Sequence, residues 1–201
     1  MFQQHARVFG CERTKRAICV DPGGEAEHIV AALERRNFEL QAIALTHAHM
    51  DHIGAVSALK KLRPNAQVIL HPLDEPLYRQ LPQQPLWLGI PQSQWTALGF
   101  DYEDPPPIER YWSDGETYVV GDLSFEVLHC PGHTPGHIAL FESEKRVVVA
   151  GDCLFAGSIG RTDLPGGSYT DLMQSLIERI MPSRRRCDRL SGTWRNDYHR
   201  I

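Results

Sequence analysis

No apolar run in these 201 residues approaches 18, so no transmembrane helix is expected. The opening Met1-Phe2-Gln3-Gln4-His5 shows neither a basic nor an apolar leader region, so a cytoplasmic location without a membrane partner is expected. Cysteine is scarce and odd in number: Cys11, Cys19, Cys130, Cys153 and Cys187, with no Cys-x-x-Cys. That pattern argues against a disulfide framework and against a Cys₄ zinc site. Basic charge is also lacking: the net charge is -4. Hydrophobic content of 42% and charged content of 23% exclude a disordered or fibrous chain, and the length suits one domain.

The charge is unevenly spread. Residues 184–201 carry six arginines against Asp188 and Asp197, a local +4, which leaves -8 on the first 183 residues. An acidic body disfavours nucleic-acid binding, so none is expected. The break divides the chain into a domain over residues 1–183 and an atypical basic tail over 184–201.

Along the chain, residues 17–20 read as a short strand closed by the turn Asp21-Pro22-Gly23-Gly24. Ala26, Ile29, Val30 and Leu33 recur at helical spacing, residues 42–45 read as a strand, and Val56, Leu59 and Leu62 mark a helix stopped by Pro64. Residues 68–70 form a third strand. This β-α-β-α-β order implies an α/β layer. Residues 82–116 hold six prolines with Trp87, Trp95, Phe100 and Trp112, and read as either a functional binding loop or an irregular linker packing its aromatics. The second half is strand-rich: a hairpin turning at Gly121-Asp122, strands at 138–141 and 147–150, then a helix carrying Leu172, Leu176 and Ile180. Two sheets with a helix on each outer face would make an αββα sandwich.

The chemistry lies in histidine, which numbers ten. Thr46-His47-Ala48-His49-Met50-Asp51-His52 joins a strand to a helix. Alternate residues of an extended segment point the same way, so His47 and His49 can grip one ion, while Asp51 and His52 suit a second. Imidazole and carboxylate are what borderline-hard divalent metals take. At this composition His-x-His-x-Asp-His arises by chance with a probability on the order of 10⁻³. Pro131-Gly132-His133-Thr134-Pro135-Gly136-His137 forms a tight loop that can aim His133 inward, with His129 and His137 in supporting positions. Gly151-Asp152 ends a buried strand in a carboxylate. The expected set is His47, His49 and His133 on one ion, Asp51 and His52 on the other, and Asp152 between them, with Asp51 and Asp152 as the catalytic carboxylates.

These motifs, with Gly160-Arg161-Thr162-Asp163 and Val20-Asp21-Pro22-Gly23-Gly24, resemble the metallo-β-lactamase superfamily, and more closely its glyoxalase II (hydroxyacylglutathione hydrolase) branch, over roughly residues 8–182. The resemblance implies an αββα four-layer sandwich and two zinc ions per chain, with iron or manganese as the family's other metals. It also implies hydrolysis of a small-molecule thioester such as S-lactoylglutathione. Two ions ~3.5–4 Å apart would lower the pKa of a shared water towards ~7 and stabilise the oxyanion. A persulfide dioxygenase using one iron, and an inactive remnant, are the rival readings.

The ends depart from the family. It closes metal 2 with a histidine in a Gly-His-Gly-Pro-like segment, whereas this chain reads Leu190-Ser191-Gly192-Thr193. The expectation is a fold incomplete at its N-terminal strand and C-terminal helix. The tail would be read out of frame and the second metal site weak, unless His199 completes it.

Overall fold

The computed structural model describes residues 6–182. The tail at 184–201, with Thr193 and His199, lies outside the described residues, as do residues 1–5.

The first sheet has the order β1-β2-β3-β4-β5: Arg7–Gly10, Arg16–Val20, Glu39–Ala44, Gln67–Leu70 and Arg110–Tyr111. β1 runs antiparallel to β2, and the other neighbours are parallel. Parallel neighbours need crossovers. α1 (Ala26–Arg35) supplies one. The turn α2 (Met50–Ile53) and α3 (Val56–Leu62) supply the next. The second sheet, β6-β7-β8-β9, is an antiparallel meander of Thr117–Val120, Leu123–His129, Ile138–Glu142 and Val147–Val149. A small ribbon, β10 (Leu154–Phe155) with β11 (Ser158–Ile159), follows.

Alternation along the strands builds the layers. Ile18, Val20, Ala42, Ala44 and Ile69 face the second sheet and pack on Phe125, Val127, Ile138 and Leu140. Their neighbours Ala17, Cys19, Ile43, Val68 and Leu70 face outward onto Ile29, Leu33, Val56 and Leu59 of α1 and α3. Burying Leu33 or Leu59 contributes about 1.5–3 kcal/mol each. On the far side, Leu128, Ala139 and Phe141 carry Leu172, Leu176 and Ile180. Those three belong to α7 (Tyr169–Ser175), which Ser168 caps at Asp171 N, and to the wider π-type turn Leu176–Ile180 that continues it. The result is an αββα four-layer sandwich.

The proline-rich segment is more regular than its composition suggests. After α4 (Glu75–Arg79), it folds into short turns that include α5 (Gln84–Trp87) and α6 (Trp95–Leu98). α4 and α5 each carry proline in their first turn, as does the single turn Leu81–Gln83. There the missing N–H costs nothing and the fixed φ favours helix. The strand β1 was not anticipated; it is short and ends in Gly10.

Candidate metal centre

β2, β3 and β4 run parallel, so their carboxyl ends share one edge, where an open α/β sheet places its ligands. Asp21 follows β2, Thr46 to His49 follow β3, and His71 to Asp74 follow β4. The second sheet brings the ends of β7 and β9, with His133 and Asp152, to the same rim. The sheets are stitched there by Ile138 N donating to Thr46 O at 2.8 Å, and within the first sheet Trp112, just past β5, donates Nε1 to Leu45 O at 3.1 Å.

Two groups of ligand-type atoms converge. His47, His49 and His133 form the first; His47, His52 and Asp152 form the second, each within 4.8 Å. The first matches the trio expected for one ion. The second differs from expectation, because His47 faces both groups: its ring lies 4.0 Å from that of His52 and 4.7 Å from that of His133. Asp51 stands further out, with Oδ2 3.9 Å from His52 Nε2. Asp152 reaches from the second group towards the first, Oδ1 3.1 Å from His52 Nε2 and Oδ2 3.6 Å from His133 Nε2.

Hydrogen bonds set each imidazole's tautomer. Thr46 Oγ1 donates to Asp21 Oδ2 at 2.7 Å, so it accepts from His47 Nδ1 at 3.1 Å and leaves Nε2 bare. His133 Nδ1 donates to Arg161 O at 2.7 Å, again leaving Nε2 bare. That nitrogen faces His49 Nδ1 at 2.8 Å. Two lone pairs that close repel unless a proton or a cation lies between them. His47 Nε2 and His49 Nε2 are buried with no hydrogen-bond partner among the described residues. Such orphaned nitrogens are costly in a dry interior, and these residues fit a divalent cation.

Burial, with the neighbouring imidazoles, holds His47 far below the ordinary histidine range and pushes His49 down to about 3; burial also lowers His133. All three are therefore neutral, the form that ligates metal. His52 differs. Burial opposes its charge, but hydrogen bonds to Asp152 and Asp21 outweigh that and hold it up at about 10. A proton thus sits where two carboxylates flank one imidazole. Burial pushes the Asp51 carboxyl up; in Asp152 the His52 contacts overcome burial and hold it down.

His137, expected in a supporting role, is wholly buried and accepts from Asp152 N at 3.0 Å through Nε2. His129, expected to be structural, stacks on His71 with centroids 4.3 Å apart. Gly151 has φ +50, and a Cβ there would lie 2.6 Å from His137 Nε2 and from Thr46 Oγ1, so only glycine fits.

Three supporting residues were not singled out from the sequence. Asp21, at φ 52, accepts from Thr46 N and Thr46 Oγ1, both at 2.7 Å, and lies 3.1 Å from His52 Nδ1. Asp74 accepts from Ala48 N, Thr134 Oγ1 and Gly136 N at 3.1, 2.7 and 2.6 Å, tying the two histidine loops together. Gln84 accepts from Met50 N at 2.7 Å and donates to Ala48 O at 2.8 Å. The Asp-Pro-Gly-Gly turn was the signal available for Asp21; the other two carry none.

An αββα sandwich with a histidine-carboxylate cluster at the shared sheet edge defines a metal-dependent hydrolase scaffold. The chain belongs to the metallo-beta-lactamase superfamily, which it matches over residues 8–192. It is 36% identical to the hydroxyacylglutathione hydrolase GloC of Haemophilus influenzae, over 90% of this chain and 81% of that one. Among solved structures, it resembles TTHA1623 in a di-iron-bound form with a TM-score of 0.71 and 36% identity, covering 90% and 84% of the two chains. It resembles the B3 metallo-beta-lactamase BLEG-1 with a TM-score of 0.70 and 34% identity, covering 88% and 80%. Among the described residues no helix is long and apolar enough to cross a membrane.

Proposed function

We propose that this protein hydrolyses thioesters of the hydroxyacylglutathione type, S-lactoylglutathione among them, with two zinc ions. The observation that carries this reading is the pair of ligand groups sharing His47, with Asp152 reaching from the second towards the first. The similarity to GloC supports the substrate class.

In this reading His47, His49 and His133 would hold one ion, and His52 and Asp51 the other, with Asp152 available to both. Bound ions supply an activated water and polarise the substrate carbonyl. The chain's own residues do the rest. Thr46 and Arg161 O keep His47 and His133 in ligand-ready tautomers before any ion arrives, and Asp21 orients His52, from which an ion would displace the Nε2 proton. Asp51 and Asp152 balance positive charge, Asp51 from a partly exposed position. A thiolate leaves readily, so no dedicated general acid is needed.

Iron is the specific alternative metal, because TTHA1623 is described in a di-iron-bound form. The test is release of free thiol from a small thioester panel by protein loaded with zinc and, separately, iron. Turnover that requires metal and is abolished by chelation supports the reading. One iron per chain, with oxygen uptake and sulfite formation from a persulfide, would replace it with the dioxygenase reading. Absence of turnover with either metal would leave a non-catalytic chain.

A further inference from the structure

The turns of residues 81–103 enclose a cleft of about 490 Å³ outside the metal cluster. Its lining combines apolar Pro82, Leu86 and Trp95 with acidic Asp101 and Glu103, and no residue lining it is basic. Tyr102 also lines it and joins it to the metal centre. Its ring packs so closely on Gly54, just past α2, that a Cβ there would lie 2.9 Å from Tyr102 Cε1, and Asp51 acts electrostatically on its hydroxyl. Gln84 clamps the same segment to Ala48 and Met50 of the histidine loop. The segment that forms the cleft is thus tied at two points to the ligand-bearing loop. Its two carboxylates are not equivalent. Glu103 is paired with Lys61 at 2.6 Å, whereas exposed Asp101 has no cationic partner among the described residues.

We propose that this cleft is a specificity site for one arm of the substrate. Trp95 and Tyr102 would pack on an apolar chain, and Asp101 would select an ammonium over a carboxylate at its end. The inference rests on the thioesterase reading for its catalytic arm. Ammonium recognition could serve either the acyl or the thiol arm, since both can carry that group.

The test uses the full chain loaded with zinc and matched thioesters ending in ammonium, hydroxyl or carboxylate on the acyl arm or on the thiol arm, each rate divided by its own hydroxide-catalysed rate. On one arm, kcat/KM should favour ammonium over carboxylate by about two- to fivefold, the scale of an exposed ion pair. Asp101→Asn should abolish that preference, and Trp95→Ala should raise KM about tenfold with kcat unchanged, as loss of aromatic packing would. The arm that shows the preference identifies the source. Separately from catalysis, hexylamine should quench the fluorescence of Trp95 more tightly than hexanoate does, and Trp95→Phe should lose the signal. Failure of every thioester to turn over, with hexylamine still preferred, sinks the thioesterase reading and keeps the cleft. Turnover indifferent to end-group charge, a preference that survives Asp101→Asn, or equal quenching by amine and carboxylate overturns the cleft proposal.

Discussion

The carboxylate of Asp21 lies 3.1 Å from Nδ1 of His52, with both side chains wholly buried. The same carboxylate accepts from Thr46 N and Oγ1, and Thr46 in turn orients His47. One residue that binds no ion therefore sets two candidate ligands.

Asp21→Asn should weaken metal binding about 10- to 100-fold, the usual cost of losing a partner that orients a ligand. The amide can accept at one position only and turns a donor towards the other. Competition titration with a chromophoric zinc chelator measures this. Unchanged affinity in a folded variant would remove Asp21 from the positioning role.

His49→Ala tests the three-imidazole group directly. With His49 gone, His133 Nε2 loses the ring nitrogen it faces at 2.8 Å, and the first ion keeps only two imidazoles. Metal content after dialysis should fall by about one ion per chain, and hydrolysis should drop at least ~100-fold. Full metal content in this variant, by elemental analysis, would break the assignment.

Asp74 gives a pH signature. Burial pushes its carboxyl up to about 6, even though three hydrogen bonds to Thr134, Gly136 and Ala48 favour the charge. The unfolded carboxyl titrates near ~3.9. Between about pH 4 and 6 the folded state then holds a proton that the unfolded chain has released. The contribution of this residue to stability therefore falls as pH rises through that window and is flat above it. In urea unfolding of metal-free protein, the stability of wild type minus that of Asp74→Asn should decline by about 1–2 kcal/mol from pH 4.5 to 6.5. Parallel profiles would show that Asp74 does not titrate there.

Much of this was legible because local pattern and tertiary role coincide. The alternation of Ile18 and Val20 with Ala17 and Cys19 separates two cores, and His-x-His-x-Asp-His places four ligand-type residues on one loop. Asp21, Asp74 and Gln84 were not legible as site residues, since their partners at Thr46, Gly136 and Met50 lie 25, 62 and 34 positions away and meet them only in the folded chain. The short turns that begin at Pro82 and Pro85 were not legible for a related reason. A proline breaks a helix interior but starts a helix turn, and composition alone does not say which place it occupies.

Cys130 and Cys153 flank His133 and Asp152 in sequence and are soft donors, so ligation is the obvious suspicion. Their surroundings argue otherwise. Both are wholly buried, and Cys153 Sγ is held by Cys130 O at 3.4 Å and His137 Nδ1 at 3.2 Å, neither of which belongs to a ligand group. The contact with Cys130, with burial, pushes the Cys153 thiol well up, as for an inert structural cysteine. Its work is instead to support His137, whose Nε2 accepts from Asp152 N. Cys153→Ser keeps a donor of similar size beside His137, and Cys130→Ala removes only a small apolar group. Both variants should retain metal stoichiometry and bind zinc within about threefold of wild type, each losing roughly 1–2 kcal/mol of stability to imperfect packing or to the buried hydroxyl. A tenfold loss of zinc affinity in Cys153→Ser, in protein that still melts cooperatively, would instead make that thiol a ligand and would require its sulfur to leave His137 Nδ1 when metal binds.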